Sequence, residues 1–214
     1  IVPPDEYWPR MREICDKYGI LLISDEVMSG WGRTGEWFAV DNWNVTPDII
    51  TTAKGITSGY VPLGAVIVRE HIAKYFDSHM LSAGLTYNGH ALACATALAT
   101  IEVYEEEKIF ENAKTVGKYL GEQLEELKRK HVSIGDVRYI GLFTAMELVK
   151  NRETKEPLDL SALKNFLVSN GVYVFNFKNI LFIVPPLIIT KEQIDEGLKL
   201  IDEGLAELMD TQTV

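Results

Sequence analysis

The sequence predicts an α/β fold in which a larger domain with a partly parallel sheet is followed by a small α+β domain. Three observations support this fold class. A short apolar run at residues 20–23 follows an amphipathic helix, which is typical of a strand in a parallel sheet. Two long helical segments occupy the middle of the chain. Beyond them strands and helices mix without regular alternation, so we divide the chain into domains 1–105 and 106–214.

The first elements place a carboxylate at a strand end. Residues 5–18 predict a helix, because apolar residues recur at helical spacing and Gly19 stands where a C-terminal cap belongs. Residues 20–23 then predict a strand that is buried on both faces, with Asp25 at its carboxyl end. Ligands bind at that edge of open α/β sheets, so Asp25 is a candidate binding residue.

Lys54 lies between the next two predicted strands, residues 48–52 and Ala65–Val68. About a dozen residues separate these strands, too few for a helical crossover, so we expect antiparallel neighbours. A glycine-rich loop with two tryptophans, residues 30–38, precedes them.

The later elements follow from periodicity and capping. Two long helices are predicted over residues 89–107 and 108–130. The remaining expected elements are strands near Phe143–Leu148, residues 172–175 and residues 181–184, a helix over residues 159–168, and a final helix opened by the capping box Thr190-Lys191-Glu192-Gln193.

Composition excludes several classes of function. With 31 acidic and 21 basic residues the net charge is −10, which argues against nucleic-acid binding. Cys15 and Cys94 lie in apolar helical patterns without metal-ligand spacing, so we expect two buried thiols, no disulfide and no metal site. No apolar stretch of about 18 residues predicts a membrane span, and without a secretion signal we expect a cytoplasmic protein.

Lys54 is the candidate nucleophile. A lysine amine can attack a carbonyl carbon and form a Schiff base, and a loop at the carboxyl edge of a strand is a suitable place for it. Taken alone, Thr52-Ala53-Lys54-Gly55 fits a solvated loop lysine better, because motifs this short are weak.

Asp25 and Thr86 complete the candidate site. A carboxylate that ends a buried strand needs a partner, and a protonated pyridine nitrogen, a helix N-terminus or an ion pair with Arg33 would each serve. Thr86 precedes a predicted helix, where its hydroxyl either binds phosphate or caps the helix. Together Asp25, Lys54 and Thr86 occur in the order that a site for pyridoxal 5′-phosphate (PLP) requires.

The chain resembles the class III (ω-amino acid) PLP-dependent aminotransferases along essentially its whole length. The segments that carry the resemblance are residues 25–35 (Asp-Glu-Val-Met-Ser-Gly-Trp-Gly-Arg-Thr-Gly), 47–49 (Pro-Asp-Ile), 53–55 (Ala-Lys-Gly), 62–65 (Pro-Leu-Gly-Ala), 86–95 (Thr-Tyr-Asn-Gly-His-Ala-Leu-Ala-Cys-Ala) and 185–190 (Pro-Pro-Leu-Ile-Ile-Thr).

The resemblance implies the fold of an aspartate aminotransferase-like (fold type I) transferase, represented by its C-terminal half. It implies that Lys54 holds PLP as an internal aldimine and later moves a proton between substrate and cofactor. It also implies that Asp25 bonds the pyridine nitrogen, that Val27 packs on the ring, and that Thr86 reaches the phosphate of the neighbouring subunit in a homodimer.

The same resemblance indicates a substrate class. Residues 25–30 and 59–64 look most like the branch that uses pyruvate as amino acceptor and ω-amines of the taurine or β-alanine type as donors. Two positions depart from the family pattern. Met28 stands where many relatives have a glutamine that bonds the cofactor, and residues 178–184 lack the arginine with which other relatives bind a substrate carboxylate. Trp31 and Tyr60 fit either a pocket wall or ordinary packing, and packing is the more frequent role.

Two alternatives remain at this point. Residues 20–26 also resemble the apolar strand and acidic pair that hold magnesium in P-loop ATPases, which would give Lys54 no role. A non-catalytic dimerisation module on the same scaffold would need neither Lys54 nor Asp25. The chain begins Ile1-Val2-Pro3-Pro4, like a strand exit, so we expect an excerpt. The resemblance implies an N-terminal half with a glycine/serine phosphate cup and an aromatic residue on the cofactor, so we expect these 214 residues alone to bind PLP weakly or not at all and not to turn over.

Overall fold

The computed structural model describes residues 1–213, and the chain divides into two compact units. One unit contains residues 3–110, and the other contains the residues from Glu111 onward together with Ile1 and Val2. The domain boundary predicted after residue 105 stays a prediction, because a compact unit does not by itself define a domain.

The unit of residues 3–110 contains a small mixed sheet with helices. Its elements are α1 (Tyr7–Tyr18), β1 (Ile23–Asp25), β2 (Ile49–Thr52), β3 (Ala65–Val68), α2 (Glu70–Tyr75) and α3 (Ala91–Glu106). The strand order is β1-β2-β3, with β1 parallel to β2 and β2 antiparallel to β3. The expected antiparallel pair is confirmed, as is the cap of α1, where Gly19 adopts a left-handed conformation (φ 64°).

Two burial predictions for this unit are wrong. Leu21 and Ile23 are 51% and 56% exposed while Leu22 and Ser24 are buried, so the first strand has one buried face rather than two. Side chains alternate along a strand, so Leu21 and Ile23 lie on one face while Leu22 and Ser24 lie on the other. Cys94 is exposed, whereas Cys15 is buried. The prediction for Cys94 failed because α3 carries apolar residues on several sides, so its sequence pattern does not identify a buried face.

The second unit is an antiparallel sheet covered by helices. Its elements are α4 (Ile109–Lys130, whose first two residues belong to the other unit), β4 (Ile134–Ile140), β5 (Phe143–Leu148), α5 (Ser161–Ser169), β6 (Phe175–Phe177), β7 (Ile180–Ile183) and α6 (Lys191–Gly204). The strand order is β4-β5-β7-β6, and every neighbouring pair is antiparallel. The capping box of α6 is confirmed: Gln193 N donates to Thr190 Oγ1, and Thr190 N donates to Gln193 Oε1.

A single apolar core holds this second unit together. Fully buried side chains come from all three helices and from the inner face of the sheet, including Leu120, Leu124, Met146, Leu163, Leu167, Leu181 and Ile201. Helix α4 approaches the β4–β5 turn so closely that a Cβ on Gly117 would lie 2.2 Å from the carbonyl carbon of Gly141. Glycine at position 117 is therefore a packing requirement.

His131 ties the C-terminal segment to the end of α4. Its Nδ1 lies 2.7 Å from Asp210 Oδ2 and its Nε2 lies 2.5 Å from Asp202 Oδ1. Burial opposes ionisation of both aspartates, but hydrogen bonds from His131 and its neighbours outweigh it and lower the pKa of each.

Two observed elements, the strand β4 and the helix α2, were not among the elements predicted from the sequence. A register shift between Ile134 and Asp136 breaks the alternation by which β4 could be recognised, and α2 has only six residues. No helix in residues 1–213 is both long and apolar enough to cross a membrane.

Candidate functional site

Asp25 is the last residue of β1, and its carboxylate is exposed. The backbone N–H of Val27 donates to Asp25 Oδ1 at 3.0 Å, which turns the chain immediately after the strand. Because residues alternate along β1, Asp25 lies on the same face of the strand as Ile23. The parallel register pairs Asp25 with Thr51, three residues before Lys54.

Lys54 follows β2 and begins a short 3-10 turn, Lys54–Thr57. Its backbone is left-handed, with φ 50°, and its side chain is exposed. A non-glycine residue in this region is strained, and such residues cluster at functional sites. This strain was not apparent from the sequence.

Lys54 and Thr86 line the same open cavity, which has a volume of about 860 Å³. Thr57 and Tyr87 also contribute to its wall. Thr86 lies in the exposed turn before α3, as expected from the sequence. Asp25 and Val27 are not part of this lining, so the structure relates Asp25 to Lys54 through the pairing of β1 with β2.

Glu26 is a buried carboxylate that the sequence analysis did not single out. It is 1% exposed and accepts four hydrogen bonds. The donors are Ser24 Oγ (3.2 Å), Ser29 Oγ (2.5 Å), Ala39 N (3.0 Å) and Val40 N (3.1 Å). These bonds attach the end of β1 to the far side of the glycine-rich loop and so fix the chain that follows Asp25. Its burial has no signature in a single sequence.

Asp48 has a structural role at the start of β2. Its Oδ2 accepts hydrogen bonds from Arg12 Nη1 and Leu22 N, both at 2.8 Å. Burial favours the neutral acid, but these hydrogen bonds and the charge of Arg12 outweigh burial and lower the pKa of Asp48. The ion pair holds α1 and the first residues of β2 in place.

Trp31 and Tyr60, the two aromatic residues considered for the pocket wall, differ in environment. Trp31 is 7% exposed and packs behind the Lys54 turn, whereas Tyr60 is 82% exposed. Trp31 therefore acts in packing. In residues 1–213 there is no group of three or more histidine, cysteine, aspartate or glutamate side chains that could hold a metal ion.

Comparison with known proteins identifies the family. Residues 1–205 match the family described as aminotransferase class-III. The chain belongs to the class III aminotransferases. The P-loop ATPase alternative is thereby set aside, and the fold has the class expected from the resemblance.

Individual class III aminotransferases are similar over nearly the whole chain. The putrescine–pyruvate aminotransferase of Pseudomonas aeruginosa is 42% identical over 206 residues, which cover 94% of this chain and 45% of that protein. The taurine–pyruvate aminotransferase of Bilophila wadsworthia is 42% identical over 222 residues, which cover 95% of this chain and 48% of that protein. The chain thus spans about half the length of the curated relatives it matches.

A solved aminotransferase structure is similar to this chain over its whole length. The taurine:2-oxoglutarate aminotransferase of Bifidobacterium kashiwanohense, in complex with PLP and glutamate, has a TM-score of 0.94 and 44% identity. The match covers 100% of this chain and 50% of that one. Class III aminotransferases depend on PLP.

The residues of the candidate site fit PLP chemically. An exposed lysine amine suits its aldehyde, an exposed threonine hydroxyl suits its phosphate, and an exposed strand-end carboxylate suits its pyridine nitrogen. Each of these groups is present among Lys54, Thr86 and Asp25.

Proposed function

We propose that this protein is an aminotransferase whose Lys54 carries PLP and whose amino donor is an ω-amine or ω-amino acid. The observation that supports this most directly is the exposed, left-handed Lys54, which lines an open cavity and follows the strand paired with the one that ends in Asp25.

Each residue then has a chemical role. PLP, when bound, supplies an electron sink for the carbon that loses its proton. Lys54 Nζ binds the cofactor covalently, is displaced by the substrate amine, and as a free amine carries the proton away from the substrate carbon. Asp25 keeps the pyridine nitrogen protonated, Val27 packs on the ring face, and Thr86 donates its hydroxyl to the phosphate.

Taurine, β-alanine and putrescine are the donor types we propose, with pyruvate or a related keto acid as acceptor. Two curated relatives at 42% identity are named for putrescine or taurine with pyruvate. The absence of arginine from residues 178–184 agrees with donors that carry no α-carboxylate. A half-reaction tests this directly: the amine is added to the PLP-loaded protein and loss of the visible absorbance of the lysine-bound cofactor is followed. Alanine is left out of the comparison, because amination of the proposed acceptor pyruvate produces it and it reacts in the reverse direction. Faster loss with other α-amino acids than with ω-amines would contradict the proposed donor class.

A homodimer with shared active sites is the proposed assembly. The segment around Thr86 exposes apolar side chains, with Met80, Leu85 and Tyr87 at 86%, 79% and 80% exposure, as expected of a surface that a second subunit covers. Complementation tests the sharing. If Thr86 serves the neighbouring subunit, Lys54→Asn and Thr86→Val proteins, each inactive, regain part of their activity when co-expressed, because one site per mixed dimer is intact. Co-expression without recovery would place Lys54 and Thr86 in one subunit's site.

Borohydride trapping tests the role of Lys54. The protein is mixed with PLP, reduced with borohydride, and the modified lysine is mapped by mass spectrometry. Lys108 offers a matched control, because it too is exposed and left-handed, with φ 51°. We expect the label on Lys54 in the wild type and in Lys108→Asn, and its loss in Lys54→Asn. Asparagine tolerates the left-handed conformation, which keeps the backbone comparable.

The outcomes separate the proposal from its alternative. No specific Lys54 label in any form of the protein would refute the aminotransferase mechanism and favour a dimerisation module. A weak label on the 214 residues and a strong one on a longer form would support the view that this chain holds only part of the site.

A further inference from the structure

An aromatic pair lies behind the Lys54 turn and contacts the chain on both sides of the lysine. The Trp31 Nε1–H donates to Thr52 Oγ1 at 2.6 Å, two residues before Lys54. The Tyr104 Oη–H donates to the carbonyl oxygen of Gly55 at 2.7 Å, one residue after it. The two rings are stacked, with centroids 6.4 Å apart and planes at 29°.

The aromatic pair is also pressed against the backbone. A Cβ placed on Gly55 would lie 2.5 Å from the Cβ of Trp31, so the peptide after Lys54 runs directly over the tryptophan. Trp31 is itself left-handed, with φ 59°, and Trp31 and Tyr104 are each 7% exposed. Two strained residues, Trp31 and Lys54, are thus held in one packed unit.

These contacts have a consequence for the lysine. A left-handed lysine is intrinsically disfavoured, so Lys54 keeps this conformation only while surrounding contacts impose it. The hydrogen bond to Gly55 fixes the peptide plane that follows Lys54, and the bond to Thr52 fixes the end of β2 that precedes it. Released from either, Lys54 can relax and its amine changes direction.

We propose that Tyr104, together with Trp31, is a positioning residue that holds Lys54 in its left-handed conformation and thereby aims the amine. The inference rests on the proposed function, in which Lys54 binds PLP covalently. Neither aromatic residue touches the cofactor in this proposal; both act through the backbone of Lys54. Misplacing a reacting amine by about 1 Å lowers its reaction rate strongly, so the effect is measurable.

Tyr104 is suited to this task because its phenol stays protonated. Burial raises the pKa of Tyr104, although a hydrogen bond with Ser58 and the positive charge of Arg33 oppose the shift. The hydroxyl is therefore a constant donor to the Gly55 carbonyl across the neutral pH range.

The first test is Tyr104→Phe, which removes the hydroxyl and keeps the ring. Tyr119→Phe is the matched control, because Tyr119 also loses a phenol hydrogen bond, to Asp195 Oδ1, but in the other compact unit. One readout needs no cofactor: the backbone 13Cα resonance of Lys54 in lysine-labelled protein reports its φ and ψ. We expect this resonance to shift in Tyr104→Phe and not in Tyr119→Phe, while that of the left-handed Lys108 stays in place in both.

The second readout is the rate of borohydride-trapped PLP labelling at Lys54. Loss of one hydrogen bond corresponds to a decrease of about two- to tenfold, with labelling of other surface lysines unchanged. Thr52→Val and Thr52→Ser form an independent pair, because valine removes the acceptor for Trp31 and serine keeps it. We expect Thr52→Ser to label at the wild-type rate and Thr52→Val to label about two- to tenfold more slowly. This pair tests the inference even if Tyr104→Phe folds poorly.

The failures are distinguishable. An unmoved Lys54 resonance and unchanged labelling in both Tyr104→Phe and Thr52→Val overturn this inference and leave the proposed function intact. A parallel shift at Lys108 would show general loss of structure and overturn it as well. If the wild type shows no specific label at Lys54, the proposed function fails, and the positioning role fails with it.

Discussion

Replacement of the buried Glu26 by glutamine should destabilise residues 3–110 far more than any exposed charge change. The two glutamate oxygens accept four hydrogen bonds, two of them from the backbone amides of Ala39 and Val40. Glutamine keeps one oxygen, so one of these backbone amides must face an NH2 group. The serine hydroxyls can rotate to accept from that group, but a backbone N–H cannot.

The magnitude follows from that count. A lost hydrogen bond to a charged group costs about 1.5–3 kcal/mol, and a buried amide left without an acceptor costs about 1–3 kcal/mol. Relief from burying a charge offsets part of this sum, so we expect a decrease of about 3 kcal/mol in the free energy of unfolding. With a urea m-value of about 2 kcal/mol per M, the midpoint falls by about 1.5 M.

Tryptophan fluorescence is the assay, because all four tryptophans (Trp8, Trp31, Trp37 and Trp43) lie in residues 3–110 and none lies in the other unit. Glu102→Gln is the control, since it makes the same charge change at an exposed position of the same unit. It should alter stability by less than about 0.5 kcal/mol. Equal midpoints for the two variants would refute the assignment of Glu26 as the anchor of the glycine-rich loop.

Three further predictions concern stability. The pKa of Asp48 is lower in the folded protein than its unfolded value near 3.8, so Asp48 stabilises the fold fully above pH 3.8 and loses this effect as pH falls through the folded pKa. Asp48→Asn should therefore weaken the acid dependence of the free energy of unfolding, followed by tryptophan fluorescence. An unchanged acid dependence would contradict this role of Asp48. Gly117→Ala should destabilise the protein by about 1–3 kcal/mol, because the added Cβ overlaps with Gly141. Gly197→Ala is the control: the space around Gly197 is open, and alanine should stabilise the helix by up to about 1 kcal/mol. Thermal unfolding followed by circular dichroism compares the two variants, and similar melting temperatures would contradict the overlap. His131→Leu removes a hydrogen-bond partner of Asp202 and of Asp210 and should cost about 1–3 kcal/mol in guanidinium unfolding followed by circular dichroism; a loss below about 0.5 kcal/mol would show that the pairing contributes little.

Local rules recovered the parts of the fold that depend on neighbouring residues. The antiparallel pairing of β2 with β3 followed from a short connection, and the caps at Gly19 and Thr190 followed from residue type. Burial was harder to predict. A continuous apolar run such as residues 20–23 does not reveal which of its side chains are buried, and α3, whose apolar residues lie on several sides, does not reveal that Cys94 is exposed.

The candidate site divides in the same way. Asp25, Lys54 and Thr86 could be found because their residue types and order resemble a known family. The partners that shape the site could not, since Tyr104 meets Gly55 across 49 positions and Glu26 meets Val40 across 14. Such pairs depend on tertiary packing, for which a single sequence contains no periodic signal.

The contact between Trp31 and Gly55 restricts which variants of this loop evolution or laboratory selection can reach. A lysine transferred to residue 55 would bring its Cβ within 2.5 Å of the tryptophan, so the reactive amine cannot move one step along the chain by a single substitution. Relocation there requires glycine at position 31 first, because the nearest atom is the Cβ of Trp31, which every other residue also carries. That intermediate gives up the indole hydrogen bond to Thr52 before any new activity can arise, so the path crosses a less stable protein.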